Sequence, residues 1–162
     1  MRDIDHDDIT VRILMLFVQT AHAVLKYADA YFYRKARLSV IKHMVLQALA
    51  NNGGNMKPSE IAEWTLRERH NITTLADRLK KDGLVRVTRN KKDRRVVNIT
   101  LTDKGREVLR QNAPVAREIV DQVMLSISEG DAVMLEKPLR ILRQNAHDGL
   151  EHLVKRAQPQ LG

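Results

Sequence analysis

The chain has no cysteine among its 162 residues, which excludes disulfides, thiolate metal sites and any switch that works by thiol oxidation. Aromatic residues are nearly as scarce, six in all. No stretch approaches the roughly 18 uninterrupted apolar residues of a membrane span. The opening MRDIDHDDIT is acidic, whereas the n-region of a secretory signal is basic, so a cytoplasmic protein with no membrane partner is expected. Catalytic signatures are missing too. There is no Gly-rich phosphate loop, no HExxH and no nucleophile elbow, and the carboxylates read as surface or capping groups, so neither an enzyme nor a cofactor is expected.

What the chain does have is positive charge in one place. Its composition, 43% apolar and 30% charged, is ordinary for a soluble, helix-rich globular protein, and 18.6 kDa is enough for one domain with its own core. The formal net charge is +8, and residues 67–95 alone set eleven Lys/Arg against four Asp/Glu, leaving +7 in that segment. A charge focused in this way is the footprint of a surface that docks on phosphates. The alternative is a solvated charged face.

Hydrophobic spacing orders the rest. Ile13, Phe17, Ala21, Val24, Ala28 and Phe32 recur at three and four residues, which predicts a long amphipathic helix over 10–36. Ser39 can N-cap a second helix carrying Ile41, Val45, Leu46 and Leu49 and stopped by Asn52-Gly53-Gly54. Pro58 suits the first position of a third. A fourth follows, with Ile72, Leu75, Ala76 and Leu79 on one face and Gly83 at its end. Two β-branched runs, 84–89 and 96–101, enclose the basic tip Asn90-Lys91-Lys92-Asp93-Arg94-Arg95 and read as a hairpin. Thr102 caps a fifth helix that Pro114 should bend, and Ser128 with Asp131 starts a sixth that Pro138 should kink. Along that last helix Leu135, Leu139, Leu142, Ala146, Leu150 and Leu153 form a narrow seam for another helix, either of a second copy or of the same chain.

Three short helices followed by a two-stranded wing make a winged helix-turn-helix. The fold class is therefore mainly α with a small β-hairpin wing, in three regions of one structural unit: 1–36, 37–101 and 102–162. Burying Ile72, Leu75 and Leu79 turns His70, Thr74 and Lys81 to the opposite side, flanked by Arg69, Asn71, Thr73 and Arg78. Such groups reach base edges and phosphates when a helix lies in the major groove. For His70 the alternative is a surface histidine without a role.

The stretches S-E-I-A-E-W, I-T-T-L-A-D-R-L-K-K-D-G-L-V and D-R-R-V-V-N-I-T-L-T-D-K-G closely resemble the MarR (multiple antibiotic resistance regulator) family of transcription factors, over roughly residues 10–157. The resemblance implies a homodimer with interlocking N- and C-terminal helices, bound to double-stranded DNA at a pseudo-palindromic site. By position, Asp93 orients Arg95 into the minor groove and Arg94 lies on or near phosphate; Arg67, Lys91 and Lys92 join the phosphate contacts. Family members usually carry Arg where this chain has Thr74 and often Gly where it has Leu66, so base readout departs from the common pattern, with Arg67, Arg69 and His70 as substitutes. The family also implies release by a small aromatic effector beside the first helix, where Thr20, Val24, Tyr27 and Tyr31 share a stripe; the alternative is that these aromatics fill the core or the dimer interface. A competing reading is an architectural or RNA-binding winged helix without base specificity. His147, Glu151 and His152 have a spacing that metals use, but exposed helix polars are the preferred account, and no metal is expected.

Overall fold

A computed structural model describes residues 8–65, 69–89 and 97–157. Helix α1 spans Ile9–Ala36; Asp8 Oδ1 caps it by accepting the Thr10 N–H at 2.7 Å, and Arg37 ends it in the left-handed conformation, φ 54°. Helix α2 is Val40–Asn51. Ser39 stands at its N-cap but makes no side-chain cap bond; the Val40 N–H is taken instead by Asp29 Oδ1 of α1 at 2.9 Å, which joins the two helices at their corner. Helices α3 (Pro58–Thr65) and α4 (Arg69–Lys81) follow.

The wing is β2 (Val85–Arg89) paired antiparallel with β3 (Val97–Leu101), Val87 opposite Ile99. A third, two-residue strand, β1 (Asn55–Met56), lies on the other side of β3, giving the order β1-β3-β2. Two residues are too few to show a period-2 pattern, which is why the sequence reading has no strand there. Helix α5 (Asp103–Val123) runs unbroken through Pro114, and α6 (Glu129–Ala157) through Pro138. The described residues divide into two compact units, the first ending at Val123 and the second, essentially α6, beginning at Met124.

Within the first unit the core is that of the winged helix. Leu46, Leu49, Ile61, Ile72, Leu79, Ile99 and Val45 are fully buried, so α2, α3, α4 and the sheet all close on one apolar centre. A smaller cluster joins α1 to α5 through Ala28, Phe32 and Ile119, with Tyr27, Tyr31, Val115, Ala116 and Val123 around it. By length and composition α1 also suffices to cross a membrane. Its C-terminal half nevertheless packs into this cluster as a structural helix does.

Candidate nucleic-acid interface

Helix α4 owes its orientation to three buried side chains, Ile72, Ala76 and Leu79, with Leu75 partly buried against the same core. At about 100° per residue these define one side of the helix. His70, Thr74, Asp77 and Lys81 fall opposite, with Asn71, Thr73 and Arg78 on the flanks. All seven of these side chains are exposed.

Asp77 is absent from the residues that sequence reasoning selects, because a search for basic and amide groups passes over a carboxylate. It makes no ion pair or hydrogen bond among the described residues. Phosphate repels a carboxylate there, while the exocyclic amine of cytosine complements it. The hydroxyl of Thr74 lies 3.3 Å from the His70 carbonyl, to which it donates. Arg78, Lys80 and Lys81 occupy the last turn, where cations also complement the negative end of the helix dipole.

The C-terminal end of α4 is fixed from two directions. Gly83 takes φ 75°, which a residue without a Cβ adopts at no steric cost, and its N–H returns to the Lys80 carbonyl at 2.9 Å. Thr102 then ties this turn to α5: its hydroxyl donates to the Gly83 carbonyl at 2.8 Å and accepts the Gly105 N–H at 3.0 Å. Lys104 Nζ donates to the Asp82 carbonyl at 2.7 Å, and the Asp82 carboxylate pairs with Lys42 of α2, also at 2.7 Å. Gly105 is needed for this approach, since a Cβ there would stand 2.2 Å from the Leu84 carbonyl oxygen. Thr102 as a cap is legible in the sequence; the Lys42–Asp82 pair, forty residues apart, carries no local signal.

On the wing, Arg86 and Arg89 of β2 are exposed and extend the basic surface beyond the residues named from sequence. Lys91, Lys92, Asp93, Arg94 and Arg95, between β2 and β3 in the chain, and Leu66 and Arg67, between α3 and α4, lie outside the described residues. Arg69 is the first residue of α4.

The stripe proposed for an effector sits elsewhere in the first unit. Tyr27 and Tyr31 are half-buried, their ring centroids 5.6 Å apart, with Val24 half-buried and Thr20 exposed on the same helix. The Tyr31 hydroxyl donates to Glu118 of α5; that bond, followed by burial, holds the phenol above its ordinary ionisation range. Lys35 reaches the same carboxylate at 3.7 Å and lies 5.5 Å from the centre of the Tyr31 ring. Nearby, His43 of α2 packs on Phe32, ring centres 4.5 Å apart. Its Nδ1 is buried with no hydrogen-bond partner among the described residues, and burial alone lowers its pKa. On α6, His147 Nε2 lies 3.4 Å from Glu151, and no cluster of three or more potential metal ligands exists among the described residues.

Comparison with known proteins adds three findings. Residues 38–96 match the MarR family. The HTH-type transcriptional repressor MdtR of Bacillus subtilis (strain 168) is 34% identical over 98 residues, 60% of this chain and 59% of that one. Among solved structures, Sco3205 of Streptomyces coelicolor, a MarR family regulator in complex with DNA, superposes with a TM-score of 0.76 at 24% identity, covering 83% of this chain and 88% of that one. Bordetella bronchiseptica BpsR, whose DNA binding is regulated by 6-hydroxynicotinic acid, gives 0.72 at 22%, covering 82% and 98%. At these identities the two structures establish the shared fold. The chain spans between half and two thirds of the length of the curated relatives it matches first.

Proposed function

We propose that this chain, whose residues 38–96 match the MarR family, is a member of that family and a dimeric, sequence-specific DNA-binding transcriptional repressor that acts without catalysis. The observation that carries this reading is α4: a helix buried along Ile72, Ala76 and Leu79 that turns His70, Thr74, Asp77 and Lys81 outward from a rigid winged core. A helix so presented fits the major groove, and the basic residues around it neutralise phosphates. The same fold holds DNA in Sco3205, and MdtR is a repressor.

A second copy is the partner that the flanking helices call for. Leu135, Leu139, Leu150 and Leu153 of α6 and Ile13, Leu14, Leu16 and Phe17 of α1 are all exposed in the single chain, and apolar surface on this scale is the mark of an interface. Two-fold symmetry then presents two α4 helices to half-sites about one helical turn apart. Localisation follows from the work: the protein acts where the chromosome is, in the cytoplasm. For an effector, half-buried Val24, Tyr27 and Tyr31 offer an apolar, largely aromatic wall with the exposed Thr20 hydroxyl at one end, suited to a small aromatic acid or phenol. Regulation of BpsR by 6-hydroxynicotinic acid supports that chemical class.

Selection of bound duplexes from a random pool tests the reading. A pseudo-palindrome should emerge, bound with an affinity that falls steeply with salt, by roughly 0.9 in the log–log slope for each phosphate contacted. Binding that depends on duplex length alone, with no enriched sequence, would point to the architectural alternative.

A further inference from the structure

The outward face of α4 has a small side chain at its centre. Thr74 is exposed, one helical turn from His70 on one side and from Arg78 on the other, and diametrically opposite the buried Ile72–Leu79 side. Its neighbours on the face are long or ionised. A threonine in a helix divides between two rotamers because its hydroxyl can bond the carbonyl one turn back, and here the Thr74 hydroxyl does so, 3.3 Å from the His70 carbonyl oxygen. The proton is thereby directed at the helix's own backbone. The Cγ2 methyl is left as the group that projects outward.

Resting on the DNA-reading function above, we propose that Thr74 is a specificity-determining residue that reads thymine through methyl-to-methyl contact. In the major groove thymine alone of the four bases carries an apolar group, its 5-methyl, and the side chains that complement it are short and apolar at the tip. With its hydroxyl turned inward, Thr74 presents such a tip, and nothing longer occupies the centre of the face to hold the base edge away. His70 and Arg78 then read or anchor the positions on either side. Thymine is favoured over cytosine because cytosine offers no methyl at this point. It is favoured over either purine because a purine N7 offers an acceptor to a group whose proton is already committed.

The experiment uses the full chain and the duplex recovered by selection from a random pool. Each thymine is replaced in turn by deoxyuridine, which removes the 5-methyl and leaves every hydrogen-bonding group in place. One position in each half-site should then lose about fourfold in affinity, the value of burying one methyl-sized group at roughly 0.8 kcal/mol. Thr74→Ser, which keeps the inward hydroxyl and lacks the methyl, should bind the parent duplex about fourfold more weakly and show no further loss at that deoxyuridine. Thr74→Val, which keeps the methyl and lacks the hydroxyl, should match the parent and remain sensitive to deoxyuridine.

Two results overturn the assignment. Loss of binding by Thr74→Val, with an unchanged circular-dichroism melt, would mean that the hydroxyl does the reading. A deoxyuridine penalty that persists undiminished in Thr74→Ser would give the thymine to another side chain. Failure of the pool to enrich any sequence is a different outcome. It removes the DNA-reading function itself, and this inference with it.

Discussion

The two halves of α1 meet opposite fates, and the more apolar half is the exposed one: residues 9–22 hold a single charged residue, Arg12, while residues 23–36 hold Lys26, Asp29, Arg34 and Lys35. Ala28 and Phe32 are 5% and 2% exposed, covered by Ile119, Val115 and Val123 of α5. Ile13, Leu14, Met15, Leu16, Phe17 and Val18 are between 39% and 58% exposed. Composition therefore decides nothing about burial within one chain; what decides is whether another element lies across the helix. The winged core, with Leu46, Leu49, Ile61, Ile72 and Leu79 fully enclosed, is self-sufficient. The N-terminal half of α1 is not, and its apolar residues are available to a second copy.

The strongest way to break the self-sufficient part is Gly105→Ala. The added Cβ would meet the backbone oxygen of Leu84 at 2.2 Å and Leu101 Cδ1 at 2.7 Å, and neither gives way cheaply. A loss on the order of 4 kcal/mol is expected, read as a large fall in melting temperature. A melt within a degree of the parent would show that the α5–wing junction is loose.

The contrast itself is sharpened by pairing Leu46→Ala with Leu16→Glu. The first leaves a cavity in a closed core and should cost about 3 kcal/mol of stability. The second places a charge in the exposed run and should leave the winged core folded, by circular dichroism, while converting a sedimenting dimer to monomer and weakening operator binding. A dimer that survives Leu16→Glu would move the interface to α6 alone.

The smallest effect concerns His43, where α2 meets the buried half of α1. Burial pushes its pKa below the ordinary 6.5, so the folded chain resists a proton that the unfolded chain accepts as pH falls through that value. The stability contributed by neutral His43 is thus complete above about pH 6.5 and declines below it. The carboxylates with depressed pKa, Asp8 and Glu107, lose their contribution only in more acid solution. Between pH 7 and 5 the melting temperature should therefore drop, by about 3 °C for each kcal/mol lost, and His43→Leu should flatten the profile. Identical slopes for the two proteins would remove His43 as the cause.

Much of this arrangement is legible in the sequence, for physical reasons that can be named. Period-3.6 apolar spacing marks α1, α2 and α4, and the caps at Thr102 and Ser128 are local: Asp131 N–H donates to Ser128 Oγ at 3.1 Å. The outward position of Thr74 follows from where Ile72 and Leu79 must go. What is not legible is long-range or too short to show a period. β1 exists because Met56 pairs with Ile99, the Lys42–Asp82 pair because the turn after α4 comes up against α2, and the Tyr31–Glu118 bond because α5 returns along α1. Ser39 is instructive in the other direction: the residue type is right for a cap, yet Asp29 from the preceding helix supplies the acceptor.

Residues 13–18 of α1 carry one more consequence. Six consecutive apolar side chains, at about 100° each, turn through more than a full circle, so no flat surface covers them, and in the dimer proposed above a second copy would have to wrap around the helix. Cover of that kind would depend on mass action: diluting the proposed dimer would uncover the helix, and stability would become a function of how many copies the cell holds. A monomer released from that dimer would present the apolar run to proteases and chaperones.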